Sequence, residues 1–380
     1  MQYDLACAAC SPVPRGLLHG ACADCVARVL GELPELRPEG APRVVERASE
    51  LRVEEDTISL DARPASPVVA IAVAVEWGRS WIALCADGSV GRLDLHRREL
   101  RILSRVPEDV LSLGNLGLEV SANGRFAAAV NVNGRRGSVI DLESGRETIR
   151  LDRGDYHPEA SSFPVAFFEL AGRTCVVHGT SWNRLDVSDA TTAESLRPRT
   201  FGTDPTDRAH SLDYFHSGLS ISPGAEWIAE DGWIWHPIGN PVVWSLARWM
   251  KENPFEAEDG PTRANVAHRG FWDSAMCWLD DHTLGIAGGE YLVDQPLPIL
   301  LRFDARAGAM LPAFPCPAGL LAAEDGRLYV YDRTEGLSVL DLANGDRLLH
   351  APHVCAHAYR GRGEFLTLLP DGSFRISRVL

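Results

Sequence analysis

One short pattern recurs along most of the chain: an apolar strand ends in Asp, a polar turn often closed by Gly follows, and a second strand begins. The five copies are GRLDLHRRELRIL (91–103), SVIDLESGRETIRL (138–151), NRLDVSDATTAESL (183–196), LRFDARAGAMLPAF (301–314) and SVLDLANGDRLLH (338–350). Repeated short strands with turn signals predict an all-β repeat fold, in which each unit buries its apolar faces against its neighbours. Helical periodicity after residue 50 is confined to VVWSLARWMKE at 242–252.

The spacing of the copies predicts four-stranded units of about 45 residues, which is the size of a β-propeller blade. We place six units at 67–106, 115–153, 163–199, 216–250, 273–315 and 317–350. A seventh unit begins at His353 with three strands, so LRVEEDTISLD (51–61) is expected to supply the fourth strand and close the ring. The predicted fold is a seven-bladed β-propeller over 51–380, although the irregular fourth and fifth units leave six or eight blades open.

These repeats resemble the WD-repeat family of β-propellers and its looser relatives, above all in VIDLESGRETIRL and VLDLANGDRLLH. The five copies contain neither the Gly-His nor the Trp-Asp dipeptide that labels WD repeats, so that family's side-chain network cannot be assigned to them. The resemblance implies a rigid disc that recognises proteins without chemistry. The recurring aspartates are expected to accept backbone N–H bonds from their turns. They are Asp94, Asp141, Asp186, Asp304 and Asp341.

Four cysteines near the N-terminus form a second pattern, Cys7-x2-Cys10 followed by Cys22-x2-Cys25. Two such knuckles can direct four thiolates at one tetrahedral Zn²⁺, and a closed shell of four ligands leaves no position for a substrate. We therefore predict a structural zinc module at 1–32 and a Pro/Gly-rich linker at 33–50. The module resembles small treble-clef and zinc-ribbon modules. Two disulfides, redox chemistry, four unrelated thiols and iron in place of zinc stay open.

Charge narrows the partners that such a chain can bind. The 37 basic and 52 acidic residues give a net charge of −15, which disfavours nucleic acid and anionic membranes as main partners. No apolar run reaches the roughly 18 residues that span a bilayer, and MQYDLACAAC does not have the pattern of a secretory signal. We expect a cytoplasmic protein. Lys251 is the sole lysine, as the codon bias of a GC-rich bacterial genome would produce.

Tryptophan is concentrated in one part of the chain, since seven of the ten lie within 227–278. Two of them, Trp235 and Trp278, are expected to be in core strands. The segment 245–273 interrupts the repeat and is long, charged and aromatic, as functional insertions often are. Four of its residues are predicted to bind a protein partner: Trp249, Phe255, Arg263 and Trp272. The alternative is that its two tryptophans only pin the insertion to the ring.

The favoured function is a non-enzymatic scaffold or adaptor in a cytosolic protein assembly, with no small-molecule substrate. The first alternative is an enzyme with a site on one propeller face, because several loop residues could bind a metal or transfer protons. They are His210, His216, Asp204, Asp207 and Asp213, with Asp155, Tyr156 and His157 on another loop. Sequence motifs of common catalytic sites are absent. The second alternative is nucleic-acid binding through the zinc module, although residues 1–44 carry four Arg and five acidic residues, a net charge of −1.

Overall fold

A computed structural model of the protein describes residues 44–73, 80–111, 115–199, 209–235, 238–268, 272–288, 298–332 and 335–380. Within these ranges the strands form seven sheets, six of four strands and one of three. Seven such sheets are the arrangement of a seven-bladed β-propeller, so the predicted fold class and blade number are confirmed. The predicted zinc module at 1–32 lies outside the described residues, and so does the predicted linker before residue 44.

The chain divides into two compact units, of which the first contains residues 50–196, 331–337 and 351–380. Its strand β1 (Val53–Ile58) precedes three sheets that follow chain order. The first sheet contains β2 (Val68–Val73), β3 (Ser80–Cys85), β4 (Ser89–Asp94) and β5 (Glu99–Arg105). The second contains β6 (Leu116–Val120), β7 (Phe126–Asn131), β8 (Arg136–Asp141) and β9 (Arg146–Asp152). The third contains β10 (Val165–Leu170), β11 (Arg173–Ser181) and β12 (Arg184–Asp189), followed by a bridge between Ser188 and Ser195.

Strand β3 shows why a middle strand can be apolar at almost every position. Its sequence is SWIALC, and all six residues are buried. Ile82 and Leu84 pack in one core with Ala127 of the second sheet, whereas Trp81 packs in another core with Phe374. Because successive side chains point to opposite faces, a strand covered on both sides needs an apolar residue at odd and even positions alike.

The second unit contains the described residues up to Ser49, with 197–330 and 338–350. One sheet contains β13 (Leu219–Ile221), β14 (Trp227–Ile234), β15 (Ile238–Ser245) and β16 (Ala264–Asn265). The next contains β17 (Met276–Trp278), β18 (Thr283–Ala287), β19 (Ile299–Asp304) and β20 (Ala309–Pro315). The third contains β21 (Leu320–Glu324), β22 (Arg327–Asp332), β23 (Gly336–Asp341) and β24 (Arg347–Ala351).

The outer strand of the fourth sheet differs from the expectation. The sequence places that unit at 216–250, but the outer strand is β16, which pairs with Val242 and Val243 of β15 after the insertion. The boundary at residue 250 is therefore wrong. A two-residue strand has no recognisable hydrophobic period, so only the folded insertion determines where it lies.

The helices in the described part of the chain are short. They are α1 (Glu108–Leu111), α2 (Leu246–Lys251) and α3 (Glu256–Asp259), with a 3-10 turn at Pro158–Ala160. Helix α2 falls within the predicted helical segment but starts at Leu246, because the preceding residues continue β15. No helix among the described residues has the length and apolar character needed to cross a bilayer.

The last sheet of the first unit joins the two ends of the repeat region. It contains β25 (Ala358–Gly361), β26 (Glu364–Leu368) and β27 (Phe374–Val379), and its fourth member is β1. Strand β1 pairs antiparallel with β27, from Val53 opposite Val379 to Ile58 opposite Phe374. The predicted contribution of residues 51–61 to the last sheet is therefore confirmed.

The recurring aspartates occupy the predicted turns in four copies out of five. Asp94, Asp141 and Asp304 each accept two backbone N–H bonds from the next residues, at 2.9–3.3 Å, and Asp341 accepts one at 2.9 Å. The exception is the third sheet, in which Asp189 accepts bonds from Thr191 and Thr192 at 2.8 and 3.0 Å. Asp186 accepts the Thr180 hydroxyl instead, at 2.7 Å, because β12 continues three residues beyond it.

We expect the pairing of β1 with β27 to stabilise the sheet measurably. Arg52 and Leu380 exchange both backbone hydrogen bonds, at 3.3 and 3.0 Å, so antiparallel alternation makes Glu54 the next residue that donates to β27. Glu54→Pro removes that donor and should lower the free energy of unfolding by about 1–3 kcal/mol. Thr57→Pro is the matched control, because its N–H faces away from β27. Urea unfolding compares the two, and equal losses would contradict the pairing.

Candidate functional site

The insertion between β15 and β16 begins with a helix whose start is defined by one side chain. Ser245 accepts the backbone N–H of Arg248 at 3.2 Å and so caps α2. Leu246 and Trp249 lie three residues apart on the buried face of this helix. The amphipathic turn therefore packs on the fourth sheet, with Trp249 against Trp244, rather than extending its strands.

Trp249 is the anchor of the insertion. Its side chain is fully buried, its Nε1 donates to the carbonyl of Pro254 at 3.1 Å, and its ring meets Trp244 edge to face at 6.2 Å. The Arg199 guanidinium lies 5.8 Å from the ring centroid. A partner cannot touch this ring in the described conformation, so the structure places Trp249 as a pin of the insertion.

Glu256 folds the rest of the insertion back on itself. This buried carboxylate accepts the backbone N–H of Thr262 at 3.0 Å, the Thr262 hydroxyl at 2.5 Å and the Asn253 amide at 2.9 Å. Arg263 follows, half-buried, with its Nε donating to the carbonyl of Ala257 at 3.0 Å. Charge-assisted bonds of this kind hold a short loop in one geometry.

Phe255 lies against a histidine rather than in the core. Its ring stacks on His210 with centroids 3.6 Å apart and planes 6° apart, and His210 Nδ1 is 2.9 Å from the Asp259 carboxylate. Phe255 is half-buried, and His210 and Asp259 are partly exposed. This group joins the loop before β13 to helix α3.

A buried polar cluster connects the same loop to β14. His216 Nδ1 lies 2.9 Å from both carboxylate oxygens of Glu230, and both side chains are at most 1% exposed. Tyr214 donates its hydroxyl to the carbonyl of Asn240 and accepts the N–H of Gly232, both at 2.9 Å, and burial raises the pKa of its phenol. A side chain at Gly232 would collide with the carbonyl of Phe215, so the loop can approach β14 only because residue 232 is glycine.

A second buried pair ties the insertion to this cluster. Glu258 of α3 contacts Arg199 at 2.5 Å, with 3% and 1% of their side chains exposed. Burial raises the pKa of Glu258 although the Arg199 charge opposes the shift. Such pairs cost desolvation energy, and one partner alone in the interior would be strongly destabilising. The two members therefore fix the insertion against the loop that carries Arg199.

Above the buried cluster, four aromatic rings form a stack that reaches the surface. Trp233 lies between Phe215, at 4.2 Å and 8°, and Trp272, at 5.0 Å and 23°. Trp235 meets Phe215 and Trp233 edge to face at 5.3 and 5.2 Å. Phe215 and Trp233 are buried, Trp272 is half-buried, and Trp235 is 40% exposed. We call the accessible parts of Trp235 and Trp272 the aromatic surface.

The sequence misplaced one member of this surface. Trp235 was expected in a core strand, but it lies just after β14 in the turn before β15, so much of its ring reaches solvent. The His-Pro-Ile-Gly sequence that follows it is a turn signal that identifies the position. Trp278 is buried as expected, and its Nε1 donates to the carbonyl of Ser220 at 3.2 Å.

The residues of the enzyme alternative are distributed over separate contacts. His210 pairs with Asp259 and His216 with Glu230, Asp213 is exposed, and Asp204 and Asp207 lie outside the described residues. In the first unit, His157 lies 3.1 Å from Glu159, and the exposed Tyr156 packs on Trp182 at 5.2 Å. Among the described residues, no group of three or more His, Cys, Asp or Glu is arranged to hold a metal ion. The four predicted zinc ligands lie outside this part of the chain.

We expect Glu256 to control the order of the insertion. Glu256→Ala leaves the N–H of Thr262 and the Asn253 amide without their acceptor, so opening of residues 246–262 should become easier by about 2–4 kcal/mol. Hydrogen exchange measured by mass spectrometry reports this opening peptide by peptide. Glu252→Ala is the control, because its side chain is exposed and its ion pair with Arg248 is a surface contact. Equal exchange in both variants would contradict the role of Glu256.

Comparisons with known proteins identify no relative of this chain, so its function is inferred from the geometry of the fourth sheet. No protein-family model matches the chain, and no curated protein matches it either. Of the four residues predicted to contact a partner, Trp249 is buried, Phe255 is half-buried against His210, and Arg263 is half-buried with its Nε bonded to the carbonyl of Ala257. Trp272 joins the exposed Trp235 on one surface.

Proposed function

We propose that this protein is a non-enzymatic interaction scaffold, a WD-like propeller that binds a protein partner through the aromatic surface of its fourth sheet. The observation that carries the proposal is Trp235, a large aromatic side chain that is 40% exposed beside a stack of three other rings. Tryptophan is among the residues that contribute most to protein interfaces. Its ring offers a wide apolar contact and loses few rotamers on binding.

The support beneath the aromatic surface favours binding over chemistry. Trp233 and Phe215 are buried, and the strand and loop that carry them are held by Tyr214 and by the His216–Glu230 pair. A surface that is already ordered loses less conformational entropy when a partner binds. The pinned insertion of residues 245–263 belongs to the same sheet.

A second module completes the proposal. Cys7, Cys10, Cys22 and Cys25 would hold one structural Zn²⁺, since four thiolates are a donor set that zinc prefers and that closes its coordination shell. Zinc would supply the folding energy that about 30 residues cannot obtain from a core alone. A zinc module joined to a propeller is suited to an adaptor that contacts two partners in the cytoplasm.

Substitution at the aromatic surface tests the proposed function. Affinity capture with the full-length protein should retain a partner that Trp235→Ser loses by at least about 10-fold, the loss typical of an interface hot spot. Ile102→Ser is the matched control, because Ile102 is 50% exposed on the outer strand β5 of another sheet. Both variants should unfold at similar temperatures. Identical sets of captured proteins for Trp235→Ser and the wild type would refute the aromatic surface as the recognition site.

Elemental analysis tests the zinc module separately. The full-length protein should contain about one zinc per chain, and Cys10→Ser with Cys22→Ser should remove it, because the single thiolate left in each knuckle cannot close a shell of four ligands. Cys355→Ser is the control, a half-buried lone cysteine in the first unit. Metal retained by the double variant would show that other residues bind it, and iron in place of zinc would revise the metal alone.

A further inference from the structure

The outer strand of the third sheet in the second unit has a neighbour that the sequence does not predict. Residues 44–49 lie along β24 in a parallel direction, with a bridge between Glu46 and Arg347. The N–H of Arg47 donates to the carbonyl of Arg347 at 2.9 Å, and the N–H of Arg347 donates to the carbonyl of Val45 at 2.7 Å. The edge of this sheet is thus extended by a short segment of the same chain.

Side chains of residues 44–49 add an ion pair, an apolar contact and a hydrogen bond to this backbone pairing. Arg347 donates its Nε to the Glu46 carboxylate at 2.7 Å and adds a second bond from Nη2. This arginine is also the main cause of the lowered pKa of Glu46. Val44 packs on the core cluster that contains Phe314, and Ser49 donates to the carbonyl of Leu348 at 2.5 Å.

Few contacts hold residues 44–49 against β24. Residues 45–50 are all exposed, and Val45 is 61% exposed. The Arg47–Asp341 pair, at 3.3 Å, lies on the surface, where water and salt weaken ion pairs. An open sheet edge binds any extended chain through the same backbone groups. Because few contacts hold residues 44–49, another strand of suitable side chains can displace them.

We propose that the outer edge of β24 is a binding site for an extended segment of a partner protein, and that residues 44–49 occupy this site in the free protein. The partner segment adds to the sheet as residues 44–49 do. It presents an apolar side chain to the core cluster and, two positions later, a carboxylate to Arg347. Binding requires residues 44–49 to leave the edge. This site is separate from the aromatic surface and does not depend on the function proposed for it.

A fluorescein-labelled peptide of residues 41–50, APRVVERASE, is the probe for this site. It is titrated by fluorescence anisotropy onto full-length wild-type protein and onto full-length Glu46→Arg. The substitution sets like charges against each other at Arg347 and releases the segment, while β24 itself stays unchanged. Since apparent affinity rises with the fraction of open sites, Glu46→Arg should bind the peptide at least about 10-fold more tightly than the wild type. Glu50→Arg is the control, because it makes the same change in charge just beyond the docked residues.

A charge exchange tests the role of Arg347. Arg347→Glu should lose the wild-type peptide and bind a peptide carrying Arg in place of Glu46. In the double variant Glu46→Arg, Arg347→Glu the restored charge pair should return residues 44–49 to the edge of β24. This variant should therefore bind either peptide no better than the wild type does. Hydrogen exchange at the Arg47 amide, which donates to β24, should follow the same order, slower in the wild type and double variant than in each single variant.

Three outcomes would overturn the proposal. Equal affinity of the wild type and Glu46→Arg would show that residues 44–49 do not occupy the site. Failure of Glu46→Arg to bind the peptide at millimolar concentration would show that the edge accepts no strand. Equal binding of both peptides by Arg347→Glu would show that residue 347 does not select the charge of the added strand. The reciprocal peptide detects a misfolded variant, because only folded Arg347→Glu can gain affinity for it.

Discussion

The last sheet of the first unit depends on a pairing between the two ends of the repeat region. Without β1, strand β27 would be a sheet edge, and the side chains of Phe374 and Ile376 would lie in a sheet of three strands. The register from Val53 to Ile58 supplies the missing strand, and Asp56 and Glu55 add polar contacts to Arg378 and Ser377. Phe374 and Ile376 of β27 pack in a core with Trp81, so an incomplete sheet would leave part of that core uncovered.

Local signals made most of this fold predictable. The turn after Asp94 or Asp304 depends on a carboxylate that accepts N–H groups two and three residues later, so the sequence alone locates it. The seventh unit contains three strands of its own, so residues 51–61 are likewise predictable as the fourth. In the third sheet the predicted turn residue is wrong, because two aspartates, Asp186 and Asp189, stand at positions that a turn could use. Only the length of β12 decides between them.

The candidate site was less predictable because its side chains are placed by tertiary contacts. Trp235 and Trp249 are both tryptophans in an irregular, aromatic part of the chain, yet one is exposed at a turn and the other is fully buried. The helix that begins at Leu246 buries Trp249, and the end of β14 leaves Trp235 in a turn. Neither boundary leaves a periodic trace in the sequence, so residue type and spacing could indicate the region but not the exposed surface.

The fourth sheet shows how a repeat can gain a specialised surface without losing its packing. Buried carboxyl groups such as Glu230 and Glu258 add little net stability, because desolvation offsets their hydrogen bonds to His216 and Arg199. These pairs instead favour one placement of the loop and of helix α3, because any other placement would leave a buried carboxyl group without its partner. The same restriction keeps Trp233 in position, and with it the ring of Trp235. Trp235 in turn packs edge to face on the buried rings of Phe215 and Trp233, which hold it while 40% of its surface stays accessible to a partner.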